Sequence, residues 1–267
     1  MIASLPMYDW PEVREITDAW WNGLAEAFRR EGIKDVPGSL YRSDADGASW
    51  TQPDLLFSQT CGYPYTHGGS DHLRLVATPC YGIQGCDGPT YRSFLLCRKD
   101  AKQSDISAFR HSRVAVNDLM SQSGYSALRA VIAPLADGQA FFSNIVVSGG
   151  HRLSMEMVGQ GKADLCAVDA ICYALAERYV PDLLAPLRIV TTSPDAPGLP
   201  YVTQKQASDD LVARLRAGLT QAMTDPKLSD IRNALFLSGA EILTDADYQR
   251  ILQIERTAAD LGYPKVV

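Results

Sequence analysis

A chain of 267 residues, 46% hydrophobic and 21% charged, has room for one large domain or two ordinary ones and the make-up of a globular protein. Its net charge of −6 and isoelectric point near 5.2 argue against nucleic acid or an anionic membrane surface as a partner. No apolar run is long enough to span a bilayer.

Residues 2–5 read as a first strand, with Tyr8 just past its carboxyl end. No basic segment followed by an apolar stretch precedes it, so the chain as written shows no signal peptide. It reads as cytoplasmic as it stands, or as periplasmic where an export signal was left out. Asp9 with Glu12 three residues on has capping-box spacing. Val13, Ile16, Trp20, Leu24, Ala27 and Phe28 then recur at helical spacing up to Gly32. A loop rich in Ser, Asp and Gly leads to a second strand at 54–57, which runs into the polar cluster Ser58, Gln59, Thr60. Residues 73–78 form a third strand. A Gly- and Tyr-rich loop through Tyr91 follows, then the apolar run 93–97, of the buried-strand type. Arg98-Lys99-Asp100 reads as a crossover between lobes.

Residues 114–116 are again strand-like, and Tyr125, Leu128 and Ile132 recur at helical spacing up to Pro134. Between them lie Ser121, Gln122, Ser123 and Gly124. A serine there caps free backbone N–H groups. Such N–H groups, with the positive end of the helix behind them, also suit an oxyanion. Both readings stand at this point. A strand at 144–147 leads to Ser148-Gly149-Gly150-His151 and a short helix. A strand at 163–168 ends in Asp169, ahead of a helix over 170–179, whose N-cap Asp169 would be. Residues 187–190 read as a strand returning to the first lobe, and 193–200 are too rich in Pro for an element. Leu211, Leu215, Leu219 and Met223 mark one tail helix, and Thr244 with Asp247 starts another. The expected division is 1–98 plus 187–267 for one lobe and 99–186 for the other.

Strands alternating with helices imply an α/β protein with mainly parallel sheets flanked by helices. In open α/β sheets, ligands bind beyond the carboxyl ends of strands. Tyr8, Ser58–Thr60, the Ser121 turn, His151 and Asp169 all fall at such ends and are expected to share a crevice. No C-x-x-C pair occurs among Cys61, Cys80, Cys86, Cys97, Cys166 and Cys172, so no metal or cofactor is expected. Cys80 and Cys86 could be bridged in an oxidising compartment. Ser121 or Ser123 with His151 and Asp169 has the residue types of a hydrolase triad. However, Ser-Gln-Ser-Gly is not the G-x-S-x-G elbow, and the order Ser, His, Asp differs from the hydrolase order Ser, Asp, His.

The runs VAVNDLMSQSGYSALR, VVSGGHRLSMEMVGQGKADLCAVDAICYAL and LRIVTTSPDAPGLPYV together resemble the phosphonate-type solute-binding proteins of ABC importers. That resemblance implies a two-lobed type II periplasmic-binding-protein fold closing over a ligand. It implies a small oxyanion held by Ser121, Gln122, Ser123, Gly124 and Tyr125, with His151 and Asp169 lining the cleft. Gln122 interrupts the small-hydroxyl run of that family. Tyr8, Ser58, Gln59, Thr60 and Tyr91 would line the remainder. The expected function is capture of a phosphonate, phosphate or related anionic or zwitterionic compound for an ABC permease, without catalysis. The alternative is a cytosolic enzyme or ligand sensor on the same fold.

Overall fold

A computed structural model of the chain describes residues 1–42, 47 and 49–267. Part of the Ser-, Asp- and Gly-rich loop expected after the first helix lies outside these. In chain order the main strands are β1 (Ile2–Ser4), β2 (Leu55–Gln59), β3 (Leu73–Tyr81), β4 (Ser93–Arg98), β5 (Arg113–Val116), β6 (Asn144–Val147), β7 (Leu165–Asp169), β8 (Leu187–Thr192), β9 (Tyr201–Gln204) and β10 (Leu237–Glu241). The main helices are α1 (Arg14–Arg30), α2 (Ala127–Ala136), α3 (His151–Gly159), α4 (Ala170–Tyr179), α5 (Asp209–Thr224) and α6 (Asp245–Asp260). Two compact α/β units result. Unit 1 is Met1–Gly82, Asp87–Pro89 and Pro197–Tyr248; unit 2 is Ile83–Cys86, Thr90–Ala196 and Gln249–Val267.

Unit 1 is built on a sheet of order β1-β2-β9-β3-β10. β1 and β2 are parallel, and β9 is antiparallel to both β2 and β3. The apolar stripe of α1 buries Trp20, Trp21, Leu24 and Phe28 in the core. Phe57 of β2 lies 6.3 Å from the Trp21 ring and 4.9 Å from that of Tyr201. α5 packs on α1 closely enough that a Cβ at Gly218 would stand 2.6 Å from the Phe28 ring. The capping box expected at Asp9 is not formed. Trp10 occupies the N-cap of the first turn, and the Asp9 carboxylate instead accepts from Arg42 at 2.6 Å. A charge-assisted pair outcompetes a bond to backbone N–H.

Unit 2 carries a sheet of order β8-β4-β7-β5-β6. Its centre is parallel: β5 pairs in parallel with both β6 and β7. β4 joins β7, and β8 joins β4, antiparallel. This pairing moves the expected boundaries. The 187–190 strand does not return to unit 1 but pairs through Leu187–Thr192 with β4, and residues 93–98 also belong to unit 2. The chain passes between units around 82–90, at 196/197 and again at 248/249. Pro134 does not end its helix but sits inside it; the stop is Asp137, in the left-handed region at φ 52°. The core gathers Leu95, Val114, Val116, Leu128, Ile132, Phe141, Leu165 and Tyr263.

The topology of unit 2 positions the site. β5, β6 and β7 run the same way, so their carboxyl ends share one edge of the sheet. From β5 the chain enters the Ser121 turn; from β6 it enters α3 at His151; from β7 it ends on Asp169. No disulfide joins any of the cysteines. Among the described residues no helix is long and apolar enough to cross a membrane.

Candidate functional site

The turn after β5 starts with Ser121, whose backbone is extended (φ −96°, ψ 132°) and whose hydroxyl accepts from the Gly124 N–H at 3.0 Å. The next five residues, Gln122–Ser126, make one wide π-helical turn before α2. The Ser126 N–H reaches back to the Ser121 carbonyl at 3.0 Å. A wide turn separates successive N–H groups at the helix start, and such turns concentrate at functional positions. Ser121, Gln122 and Ser123 are each at most 5% exposed. Polar residues so deeply enclosed at a helix start need partners.

Ser123 supplies one. Its hydroxyl lies 2.8 Å from His151 Nε2 and 3.4 Å from the Ser121 hydroxyl. The same Nε2 lies 3.2 Å from Asp169 Oδ2. The other Asp169 oxygen accepts the Cys172 N–H at 2.6 Å, which caps α4. Asp169 therefore caps a helix with one oxygen and faces His151 with the other. The Cys172 thiol is pushed well above its ordinary range by burial and then by the Asp169 charge. One donor atom each from His151, Asp169 and Cys172 lies within 4.8 Å of the other two.

Gly124 closes the floor of the turn. A Cβ there would stand 1.7 Å from Asn117 Oδ1 and 3.2 Å from His151 Cε1. Only a glycine lets the end of β5 and the start of α3 approach the turn this closely. Asn117 is not among the residues expected to bind ligand; its place just past the end of β5 was the available signal.

Of the residues expected to bind ligand, unit 2 thus brings together Ser121, Gln122, Ser123, Gly124, His151 and Asp169. Tyr91 lies near them: its neighbour Arg92 accepts the Ala170 N–H, next to Asp169, at 3.0 Å. Tyr125 turns the other way, its hydroxyl accepting the Val266 N–H at 3.2 Å. The other four belong to unit 1. Ser58 and Gln59 lie inside β2 rather than beyond it. The Ser58 hydroxyl meets that of Ser4 at 2.8 Å. The Gln59 amide donates to the Leu199 carbonyl at 3.1 Å and to the Tyr81 hydroxyl at 3.3 Å. The Thr60 N–H bonds the Pro200 carbonyl at 3.1 Å, and the Tyr8 ring stands edge-on to Tyr81 at 5.8 Å.

Comparison with known protein families matches residues 2–248 to the one described as "ABC transporter, phosphonate, periplasmic substrate-binding protein". The chain belongs to that family. Members are substrate-binding components of transporters, so the enzyme reading is set aside. No curated protein matches the sequence. Among solved structures, a binding protein component of an ABC phosphonate transporter from Pseudomonas aeruginosa is similar at TM-score 0.78 and 17% identity, over 97% of this chain and 87% of that one. PhnD1 from Prochlorococcus marinus, solved in complex with methylphosphonate, is similar at TM-score 0.75 and 13% identity over 97% of both chains. A Xanthomonas citri protein bound to chloride ion is similar at 0.73 and 15% over 98% of both. At these identities the likeness speaks for the fold.

The family assignment agrees with a detail of the site. A hydrolase triad needs two ring nitrogens, one toward the serine and the other toward the aspartate. Here Ser123 and Asp169 both face Nε2, and His151 Nδ1 is buried without a partner. The arrangement orders hydroxyls and an imidazole, and it provides no relay.

Proposed function

We propose that the chain is a periplasmic solute-binding protein that holds the oxyanion end of a phosphonate, phosphate or related compound on the Ser121–Gly124 turn and delivers it to an ABC permease. The observation that carries this reading is the buried hydroxyl pair of Ser121 and Ser123 at the head of a helix that runs on through Ala136, with His151 Nε2 at 2.8 Å from Ser123. Hydroxyl and backbone N–H donors there meet the positive end of the helix, so both short-range bonding and the longer-range field favour an anion. Charge-assisted hydrogen bonds contribute about 1.5–3 kcal/mol each, and the helix end on the order of 0.3–1 kcal/mol. Three such bonds with the helix end support roughly micromolar affinity, about −8 kcal/mol. Asp169 shares His151 Nε2 with Ser123, at 3.2 Å, so an N–H on that nitrogen partly offsets its negative charge beside the anion. An ionised Asp169 also favours ligands that carry a donor beside the anion, hence zwitterions. Tyr91, Gln122 and, from unit 1, Tyr8, Ser58, Gln59 and Thr60 are the remaining residues proposed to line the site.

Calorimetry with methylphosphonate, inorganic phosphate and a sulfonate tests the reading. Saturable binding of a phosphonate or phosphate is expected, weakened at least about tenfold in Ser121→Ala/Ser123→Ala, or roughly 1.4 kcal/mol. Unchanged affinity in that double variant refutes the placement of the anion. Turnover of the bound compound, seen by mass spectrometry of the released product, would refute the non-catalytic role.

A further inference from the structure

The pairing of His151, Asp169 and Cys172 is not explained by anion capture, since the sulfur has no part in it. A ring nitrogen, a carboxylate oxygen and the Cys172 sulfur lie within 4.8 Å of one another, and Nε2 and Oδ2 are 3.2 Å apart. We propose that these three side chains form a binding site for a borderline-soft divalent cation of the zinc type, with one coordination position left open.

The donor set carries the chemistry. Imidazole, carboxylate and thiolate are all zinc ligands, and three protein ligands plus a fourth position for water or another small ligand is a known zinc pattern. Hard cations that prefer oxygen cages are disfavoured by the nitrogen and sulfur. Arms of about 2.0–2.3 Å place tetrahedral ligands roughly 3.3–3.8 Å apart. The observed spacing comes within about 1 Å of that, which rotation of the Cys172 side chain supplies. Asp169 and Cys172 are held by one helix turn, because the Asp169 carboxylate caps the Cys172 N–H at 2.6 Å. On coordination Cys172 binds as the thiolate, its proton passing to buffer. Thiolate and carboxylate then balance the two charges of the metal in a buried place.

A second, independent feature points the same way. Two atoms beside the cluster are buried without partners: His151 Nδ1 and Asn117 Oδ1. Both residues press on the same glycine, since a Cβ at Gly124 would touch Asn117 Oδ1 and His151 Cε1. A metal on Nε2 fixes the imidazole proton on Nδ1, and a metal-bound histidine donates that proton to an outer oxygen. Asn117 Oδ1 is the acceptor available. The two atoms are not bonded to each other as they stand, so metal binding is expected to turn the Asn117 amide toward Nδ1. Cysteine spacing along the chain cannot show such a site, because its donors come from the starts of two different helices.

The test is titration of the full chain with Zn²⁺ and with Co²⁺, in the absence of any phosphonate. One equivalent of Zn²⁺ should bind with affinity on the order of micromolar or tighter, and Co²⁺ should give a thiolate charge-transfer band. Cys172→Ala should lose the band and weaken Zn²⁺ at least about tenfold, whereas replacing the half-buried thiols in Cys61→Ala/Cys86→Ala should leave both intact. X-ray absorption on the zinc-loaded wild type, which needs no variant, should show one sulfur and at least one imidazole in the metal shell. A shell without sulfur, or a cobalt band that survives in Cys172→Ala, overturns the site. Methylphosphonate binding to the metal-free wild type is read separately, so failure of the metal site and failure of the anion site are told apart.

Discussion

Gly124→Ala isolates the packing on which the proposed anion site rests. Gly124 is not among the residues with positive φ, so alanine suits its backbone. Judged by backbone alone, the change should stabilise by about 0.4–1 kcal/mol, because alanine restricts the unfolded chain. The surroundings reverse the sign. The new Cβ would stand 1.7 Å from Asn117 Oδ1 and 2.6 Å from its Cγ. Ordinary contact needs the Asn117 amide to retreat by about 1.5 Å, and forced repacking of this kind costs about 1–3 kcal/mol. The net expectation is a loss of roughly 1–2 kcal/mol, or about 2–8 °C in melting temperature for a chain of this size. Anion affinity should fall at least tenfold, about 1.4 kcal/mol, because His151 Cε1 lies 3.2 Å from the same point. Melting curves and calorimetry on a double-mutant cycle read this out. Asn117→Ala/Gly124→Ala should recover most of the stability lost by Gly124→Ala. If Gly124→Ala alone melts at or above wild type and the cycle shows no coupling, the close approach of β5 to the turn is refuted.

Arg129→Met should lower the unfolding free energy by about 2–4 kcal/mol, measured by denaturant unfolding, since it removes a 3%-exposed guanidinium that pairs with Glu255 at 3.2 Å and donates to the Pro264 carbonyl at 2.7 Å. Arg113→Met should change the acid limb of stability: the guanidinium's hydrogen bond to Asp164 holds that carboxyl below its ordinary range. A carboxyl depressed in the folded state contributes stability above its unfolded value of about 3.9 and loses it as the pH falls through its folded value. The gap between wild type and Arg113→Met should therefore be full at neutral pH and close in acid; a gap that stays constant to low pH excludes the pair as its cause. Gly218→Ala should destabilise unit 1 by about 1–3 kcal/mol through contact with Phe28, with equal melting of the two proteins excluding it.

The strands that build the site were legible because burial on both faces leaves a plain apolar run followed by a polar residue, as in Val114–Val116 or Leu165–Asp169. The strands that went unread have no such run. In β10 only Leu237 is buried, and the strand exists through backbone pairing with β3, which side chains do not advertise. β9 follows a Pro-rich loop and is only four residues long. The misplaced boundary has a related cause. The apolar run at 93–97 reveals that its strand is covered, but not which sheet covers it. Register alone decides that, through pairs such as Ser93 with Asp169. The turn proposed to hold the anion was visible as Ser-Gln-Ser-Gly, yet the places of Asn117 and Cys172 were not, because each matters only through a residue that folding brings beside it.

Ser123, His151 and Asp169 share the residue types of a hydrolase and differ from one in a single atom. With the carboxylate on Nδ1, a histidine can pass a proton taken up at Nε2 and stabilise the cation that forms. With serine and aspartate both facing Nε2, the lone Nε2–H is committed to one of them, and no second nitrogen is backed by a charge. Such a histidine orients the Ser123 hydroxyl and has no charge-backed second nitrogen to relay its proton, which suits a protein that releases its ligand unchanged. The difference is testable by tautomer. Nitrogen-15 spectra of His151 in the ligand-free, metal-free protein should show the proton on Nε2 when the ring is neutral. A proton on Nδ1 would restore a base at Nε2 facing Ser123 and would reopen the catalytic reading.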